Sequence, residues 1–216
     1  MSKPVLTKPS TAAKPAAKRT ASKRARAAAP DTVYQIKVML EYIEPVIWRR
    51  LLVPADITLS RLHSILQIAF GWTNSHMHHF FDKEQEFFSP KVMANDDFGG
   101  PPARDTAQTR LADVMKKPRD ALRYEYDFGD SWLHYIQLEK ILADAGDTPV
   151  PSCIAGENAG PPDDCGGPPG YQHLMAVMAN PKHPEFEEMA EWVRQPFDPR
   201  RFDTARVNAR MKAKPR

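Results

Sequence analysis

Hydrophobic and polar positions change period several times along the chain, and each change marks an element. Val33 to Ile43 (VYQIKVMLEYI) and Val46 to Val53 (VIWRRLLV) are rich in β-branched and aromatic residues with Glu44-Pro45 between them, which predicts two strands joined by a tight turn. In TLSRLHSILQIAFGW the apolar residues fall at 59, 62, 65, 66, 69 and 70, the spacing of one helical face. Thr58 can cap the start of that helix and Gly71 its end. His76 to Asp82 and Gln85 to Ser89 read as short strands, Pro90 to Thr109 as a polar loop, and LADVM as one or two helical turns.

From Leu122 the chain alternates, with Leu122, Tyr124, Tyr126 and Phe128 on one side and Arg123, Glu125 and Asp127 on the other. The returning strand fixes the turn. A three-residue loop, Phe128-Gly129-Asp130, sets Tyr126 opposite Trp132, Tyr124 opposite His134 and Leu122 opposite Ile136; a two-residue loop would bring Leu133 and Tyr135 to the apolar side instead. The odd-length loop keeps Trp132, Ile136 and Leu138 together in the core. Gly129 then supplies backbone freedom, and Asp127 and Asp130 can accept backbone N–H bonds within the turn.

After Leu142 comes DTPVPSCIAGENAGPPDDCGGPPG, a long loop dense in Pro and Gly, functional or mobile by its length. Helices resume in YQHLMAVMAN and PEFEEMAEWV, while the basic end TARVNARMKAKPR is expected to fray. The pattern predicts an α+β fold: an antiparallel sheet packed with helices, a long Pro/Gly-rich loop, and one domain over residues 31–210.

Charge changes this picture at one end. Residues 1–30 hold eight Lys/Arg and no Asp or Glu, which leaves the remainder with 22 basic against 27 acidic residues, so the positive balance belongs to the tail. That tail has almost no large apolar residue after Leu6 and cannot offset its ordering entropy, so a disordered basic tail is expected. Lys18, Arg19, Lys23, Arg24 and Arg26 are its candidates for phosphate contact with DNA; a merely solubilising extension is the alternative. The tail lacks the apolar stretch of a secretory signal, and no segment approaches the ~18 apolar residues of a membrane span, which points to a cytoplasmic protein without a membrane partner.

Candidate chemistry is sparse. His76 and His78, two apart in a strand, would project from one face as a metal pair does, though two histidines on a solvated or aromatic face read the same way. His134 falls on the apolar side, where a neutral histidine needs a partner for each ring nitrogen. Cys153 and Cys165 fit free thiols or metal ligands better than a disulfide in a reducing compartment, and their spacing matches no standard zinc knuckle. There is no G-x-S-x-G elbow and no Cys-His pair at a recognisable spacing.

Three blocks, VIWRRLLVP with FGWTNSHMHHF, YEYDFGDSWLHYIQLE, and PSCIAGENAGPPDDCGGPPGY, resemble in order the plasmid pRiA4b ORF-3-like family over roughly residues 33–205. The resemblance implies an α+β fold and an accessory protein carried on plasmids or transposable elements. Family members commonly read like C-x-x-G-x-x-x-C-P-P-E-D-C-G-G in the last block; here Gly160 stands at the middle cysteine and Asp163 at the glutamate. A metal held there by three thiolates and His134 would lack one ligand in this chain. At His79 the family usually has an acidic residue, so His76 and His78 are the pair carried over.

The combined reading leans away from an enzyme. It expects a binding module with a groove lined by Trp72, Asp127, Asp130, Trp132, His134, Asp163 and Asp164, open to a protein or nucleic-acid partner and needing no cofactor. The competing reading is a metal-dependent hydrolase using a His/Asp/Cys cluster, in which Asp127 and Asp130 join the metal candidates His76, His78, His134, Cys153 and Cys165 around Zn or another divalent ion.

Overall fold

The computed structural model describes residues 32–94, 102–193 and 197–213; the basic tail with Lys18, Arg19, Lys23, Arg24 and Arg26 lies outside them. In chain order the elements are β1 (Val33–Leu40), β2 (Trp48–Pro54), α1 (Leu59–Phe70), β3 (His78–Phe81), β4 (Phe87–Ser89), α2 (Lys91–Ala94) and β5 (Ala103–Asp105). They continue with α3 (Leu111–Val114), β6 (Ala121–Tyr126), β7 (Trp132–Leu142), β8 (Ser152–Glu157), α4 (Gly167–Met178), α5 (Phe186–Val193) and α6 (Thr204–Ala213). The strands form one eight-stranded sheet in the order β5-β4-β3-β6-β7-β1-β2-β8, antiparallel except where β5 runs parallel to β4. The fold is α+β.

The period-two alternation divides the sheet into two faces. Ile36, Val38, Leu51, Val53, Leu122, Tyr124, Tyr126, Trp132, Ile136 and Leu138 are buried on one of them. The other carries polar side chains paired laterally: Glu139 takes a bidentate bond from Arg50 at 2.7 and 2.8 Å and another from Gln35 at 2.7 Å. Helix α1 closes the apolar face with Leu59, Leu62, Ile65, Leu66, Ala69 and Phe70. Its start is capped by Thr58, whose hydroxyl accepts from Arg61 N–H, and its end by Gly71 at φ 93°, as the spacing predicts.

The hairpin register is the one the apolar sides demand: Tyr126 opposite Trp132, Tyr124 opposite His134, Leu122 opposite Ile136. The turn differs in who bears its conformational load. Positive φ falls on Asp127 (60°) and Ser131 (53°), not on Gly129. A short polar side chain tolerates this because its oxygen bonds the local backbone.

Four other expectations are corrected. The β1–β2 connection runs over residues 41–47 through a cis Glu44–Pro45 bond rather than a minimal turn. The 90–109 segment is not all loop, since it contains α2 and β5. The Pro/Gly-rich stretch is not one long loop, because Ser152–Glu157 within it form strand β8, paired with β2. The C-terminal segment holds a helix to Ala213, anchored by buried Val207 and Met211. Residues 214–216 are outside the described set.

Helix α6 also lies along the free edge of β8. The Asn208 side chain accepts from Cys153 N–H at 2.8 Å and donates to Cys153 C=O at 2.8 Å, the two bonds a neighbouring strand would make.

Candidate functional site

Three segments meet at the end of the sheet: the connection after α1, the β6–β7 turn, and the stretch from Ala159 to Gly167. Hydrogen bonds join them. Trp72 Nε1 donates to Pro161 C=O at 3.0 Å, and Asp163 Oδ2 accepts from Thr73 N–H at 3.1 Å and from its hydroxyl at 2.8 Å. Tyr126 OH donates to Asp163 Oδ1 at 3.3 Å, and Gly166 N–H donates to Asp130 Oδ2 at 3.2 Å. The next residue, Gly167, has φ +66° and comes so close to the turn that a Cβ there would lie 2.4 Å from Asp130 C=O. Glycine is required at that contact.

Asp127 does what the turn asks of it. It is 7% exposed, and its Oδ1 accepts from Gly129 N–H at 3.0 Å and Asp130 N–H at 3.3 Å. Its second oxygen, Oδ2, lies 3.5 Å from His76 Nδ1, while His76 Nε2 lies 3.1 Å from Asp164 Oδ1. Ligand atoms of His76, Asp127 and Asp164 all fall within 4.8 Å of one another, among the described residues the one such group of three or more His, Cys, Asp or Glu.

The other candidates go elsewhere. His76 precedes β3, so it does not share a strand face with His78. His78 is buried with its ring stacked on His63, centroids 3.5 Å apart and planes 3° from parallel; burial, then His63 and His79, push its pKa down to about 3. His79, on the outer face, meets Glu125 at 3.0 Å and lowers the pKa of that carboxyl. His134 is fully buried, and burial drives its pKa to about 3. Carbonyls of Trp132 at 2.9 Å and Tyr124 at 3.2 Å both sit at His134 Nδ1, which places the proton there and leaves Nε2 without a hydrogen bond among the described residues. One ring nitrogen, not both, is satisfied. Trp132 is likewise buried within the aromatic layer of Trp72 and Tyr126.

The thiols do not converge on these histidines as a ligand group. Cys153 is buried and its thiol donates to Ala155 C=O at 3.3 Å. Cys165 is half-buried, and burial followed by the nearby Asp130 pushes its pKa up to about 12, so it is a neutral thiol at physiological pH.

Two features escape a reading of the motifs. One is a buried polar network in which Tyr124 OH meets His63 Nδ1 at 2.8 Å and accepts from Gln67 Nε2 at 3.1 Å. Polar residues four apart on the apolar side of a helix were its signal. The other is Arg49, 2% exposed, whose place on the core side follows from its alternation with Ile47, Leu51 and Val53. Its Nε donates to Ala69 C=O at 2.8 Å and its Nη1 to Trp48 C=O at 2.8 Å and Glu157 C=O at 2.9 Å. Burial lowers its pKa to about 10, which still leaves it charged.

A family model described as plasmid pRiA4b ORF-3-like protein matches residues 32–206, which covers all three segments of this site. The chain belongs to the plasmid pRiA4b ORF-3-like family. The uncharacterized protein y4hQ of Sinorhizobium fredii (strain NBRC 101917 / NGR234) is 37% identical to this pRiA4b ORF-3-like chain over 161 residues, spanning 74% of this chain and 80% of that protein. The crystal structure of the protein of unknown function MM3350 from Methanosarcina mazei Go1 superposes with a TM-score of 0.72 at 30% identity, covering 82% of this chain and 98% of that one. Within this pRiA4b ORF-3-like fold, the glycine at 160 has a steric reason: a Cβ there would lie 1.9 Å from Phe70 C=O, so a cysteine does not fit this backbone.

Proposed function

We propose that the chain is a non-enzymatic binding module, an accessory protein of a mobile element, that takes a partner at the corner built by the β6–β7 turn and the 159–167 segment. One observation carries this reading. Much of the acid–base and ligand chemistry gathered there is engaged inside the protein: Asp130 by Gly166, Asp163 by Thr73 and Tyr126, His134 in the aromatic interior, His78 against His63. What faces outward is His76 between Asp127 and Asp164, flanked by Met77 at 56% and Phe128 at 40% exposure. An anionic corner with apolar neighbours suits a partner that presents a basic side chain beside an apolar one. The lysines and arginines of residues 1–30 would add salt-sensitive affinity for nucleic acid.

The spacing of His76, Asp127 and Asp164 favours a second reading, a metal-dependent hydrolase with a divalent ion held by those three groups and open positions for water and substrate. Elemental analysis of the purified full chain, before and after chelation, separates the two. The binding module is expected to contain no stoichiometric Zn, Mn or Fe and to melt at the same temperature after chelator. One ion per chain, lost in Asp164→Asn, would replace it with the hydrolase. The tail has its own test: removal of residues 1–30 should abolish salt-sensitive retention on immobilised DNA, and retention that persists would sink that assignment.

A further inference from the structure

A groove of about 290 Å³ runs between the C-terminal end of α1, the 159–162 segment and α6. It is lined by four arginines, Arg49, Arg201, Arg206 and Arg210, and by two acids, Asp198 and Asp203. The acids are occupied with backbone: Asp198 Oδ1 accepts from Arg200 N–H at 3.0 Å, and Asp203 Oδ1 accepts from Ala205 and Arg206 N–H at 2.8 and 3.1 Å. Arg201, Arg206 and Arg210 are exposed and make no ion pair among the described residues. Arg206 and Arg210 stand four apart on α6, a spacing at which like charges repel.

Arg49 forms part of the wall and distinguishes the groove from a merely basic surface. A guanidinium that is 2% exposed ordinarily has a carboxylate partner, because an isolated buried charge is costly. Here three carbonyls take Nε and Nη1, the rings of Phe70 and Phe202 lie 5.0 and 4.0 Å from Cζ, and no hydrogen bond among the described residues engages Nη2. No carboxylate among the described residues pairs with it.

We propose that this groove binds a small molecule through a phosphomonoester group, with the buried Arg49 at its wall and Arg206 and Arg210 closing over the anion from α6. A dianionic oxyanion matches the planar fork of arginine and relieves the repulsion along α6. The rings of Phe70 and Phe202 beside the Arg49 guanidinium supply an apolar wall for the rest of the ligand. A concave groove with its strongest cation buried favours a terminal phosphate over the backbone of a polymer riding on the surface. None of His76, Asp127 and Asp164 lines this groove.

The test uses the full chain at constant ionic strength, titrated by calorimetry and thermal shift with inorganic phosphate, with adenosine 5′-monophosphate and with a short DNA duplex. Phosphate and the nucleotide are expected to bind and raise the melting temperature. Arg206→Ala and Arg210→Ala, exposed positions that leave the core intact, should each weaken nucleotide binding by about tenfold, the usual cost of one charge-assisted contact. Conversion of Arg49 to Lys should also weaken it, since the one guanidinium nitrogen left without a hydrogen bond, Nη2, is lost. The proposal is overturned if neither phosphate nor nucleotide binds, or if both bind unchanged in the α6 variants. It is equally overturned if only the duplex binds and the same variants abolish that, since the groove would then serve nucleic acid.

Discussion

Arg49 ties its strand to three parts of the molecule, the end of α1 through Ala69, the end of β8 through Glu157, and the ring of Phe202 before α6. Replacing it with leucine keeps much of the volume but leaves those carbonyls in a buried setting without a donor. Arg49→Leu is therefore expected to lower stability by about 3 kcal/mol, since each orphaned buried acceptor costs roughly 1–3 kcal/mol. Chemical denaturation would show it, and a loss below 1 kcal/mol would mean the carbonyls find other donors. The position was legible from VIWRRLLV, because a strand that buries Ile47, Leu51 and Val53 must also turn residue 49 inward. What the guanidinium meets there was not, since its hydrogen-bond partners lie up to 108 residues away in sequence and Phe202 further still.

At the scale of elements, the β6–β7 turn shows how a single carboxylate can fix a hairpin. Asp127 combines a positive φ with two bonds to the amides that follow it. Asparagine retains both abilities and alanine neither. Asp127→Asn should change stability little, whereas Asp127→Ala should cost about 1–3 kcal/mol from lost amide bonds and left-handed strain. Equal melting temperatures for the two variants would show that the turn is held from outside. The register of this hairpin was legible because only one loop length brings Trp132, Ile136 and Leu138 to the side of Tyr124. Strand β8 was hidden for the opposite reason: SCIAGE has little apolar alternation, and an edge strand needs only backbone pairing with β2 and a partly covered face. The corner of His76, Asp127 and Asp164 was half legible. Asp127 and Asp164 were expected in one groove and His76 apart from them as a partner of His78; that His76 stands between the two carboxylates follows only from the fold of the Pro/Gly segment.

For the whole molecule, the interior sets a pH limit. His78 and His134 have pKa values near 3 when folded, against an ordinary 6.5, because burial penalises their charged forms. Between those limits the unfolded chain binds protons that the folded chain refuses, so stability present above pH 6.5 is lost as pH falls towards 3. The loss should approach about 1.4 kcal/mol per pH unit for each histidine. Denaturant midpoints measured from pH 7 to 4 would check this. His78→Phe should remove about half of the histidine contribution to the slope, and an unaltered slope would mean that His78 is not held neutral in the native state.

A sheet ends where its last strand finds no neighbour, and here one amide side chain occupies that place. By returning both bonds of Cys153, Asn208 gives the border of β8 the look of an interior strand and denies another molecule a landing strip. Asn208→Ala would open that border. Slow, concentration-dependent association of otherwise folded chains is then expected in light scattering, the behaviour of a seam left unstitched.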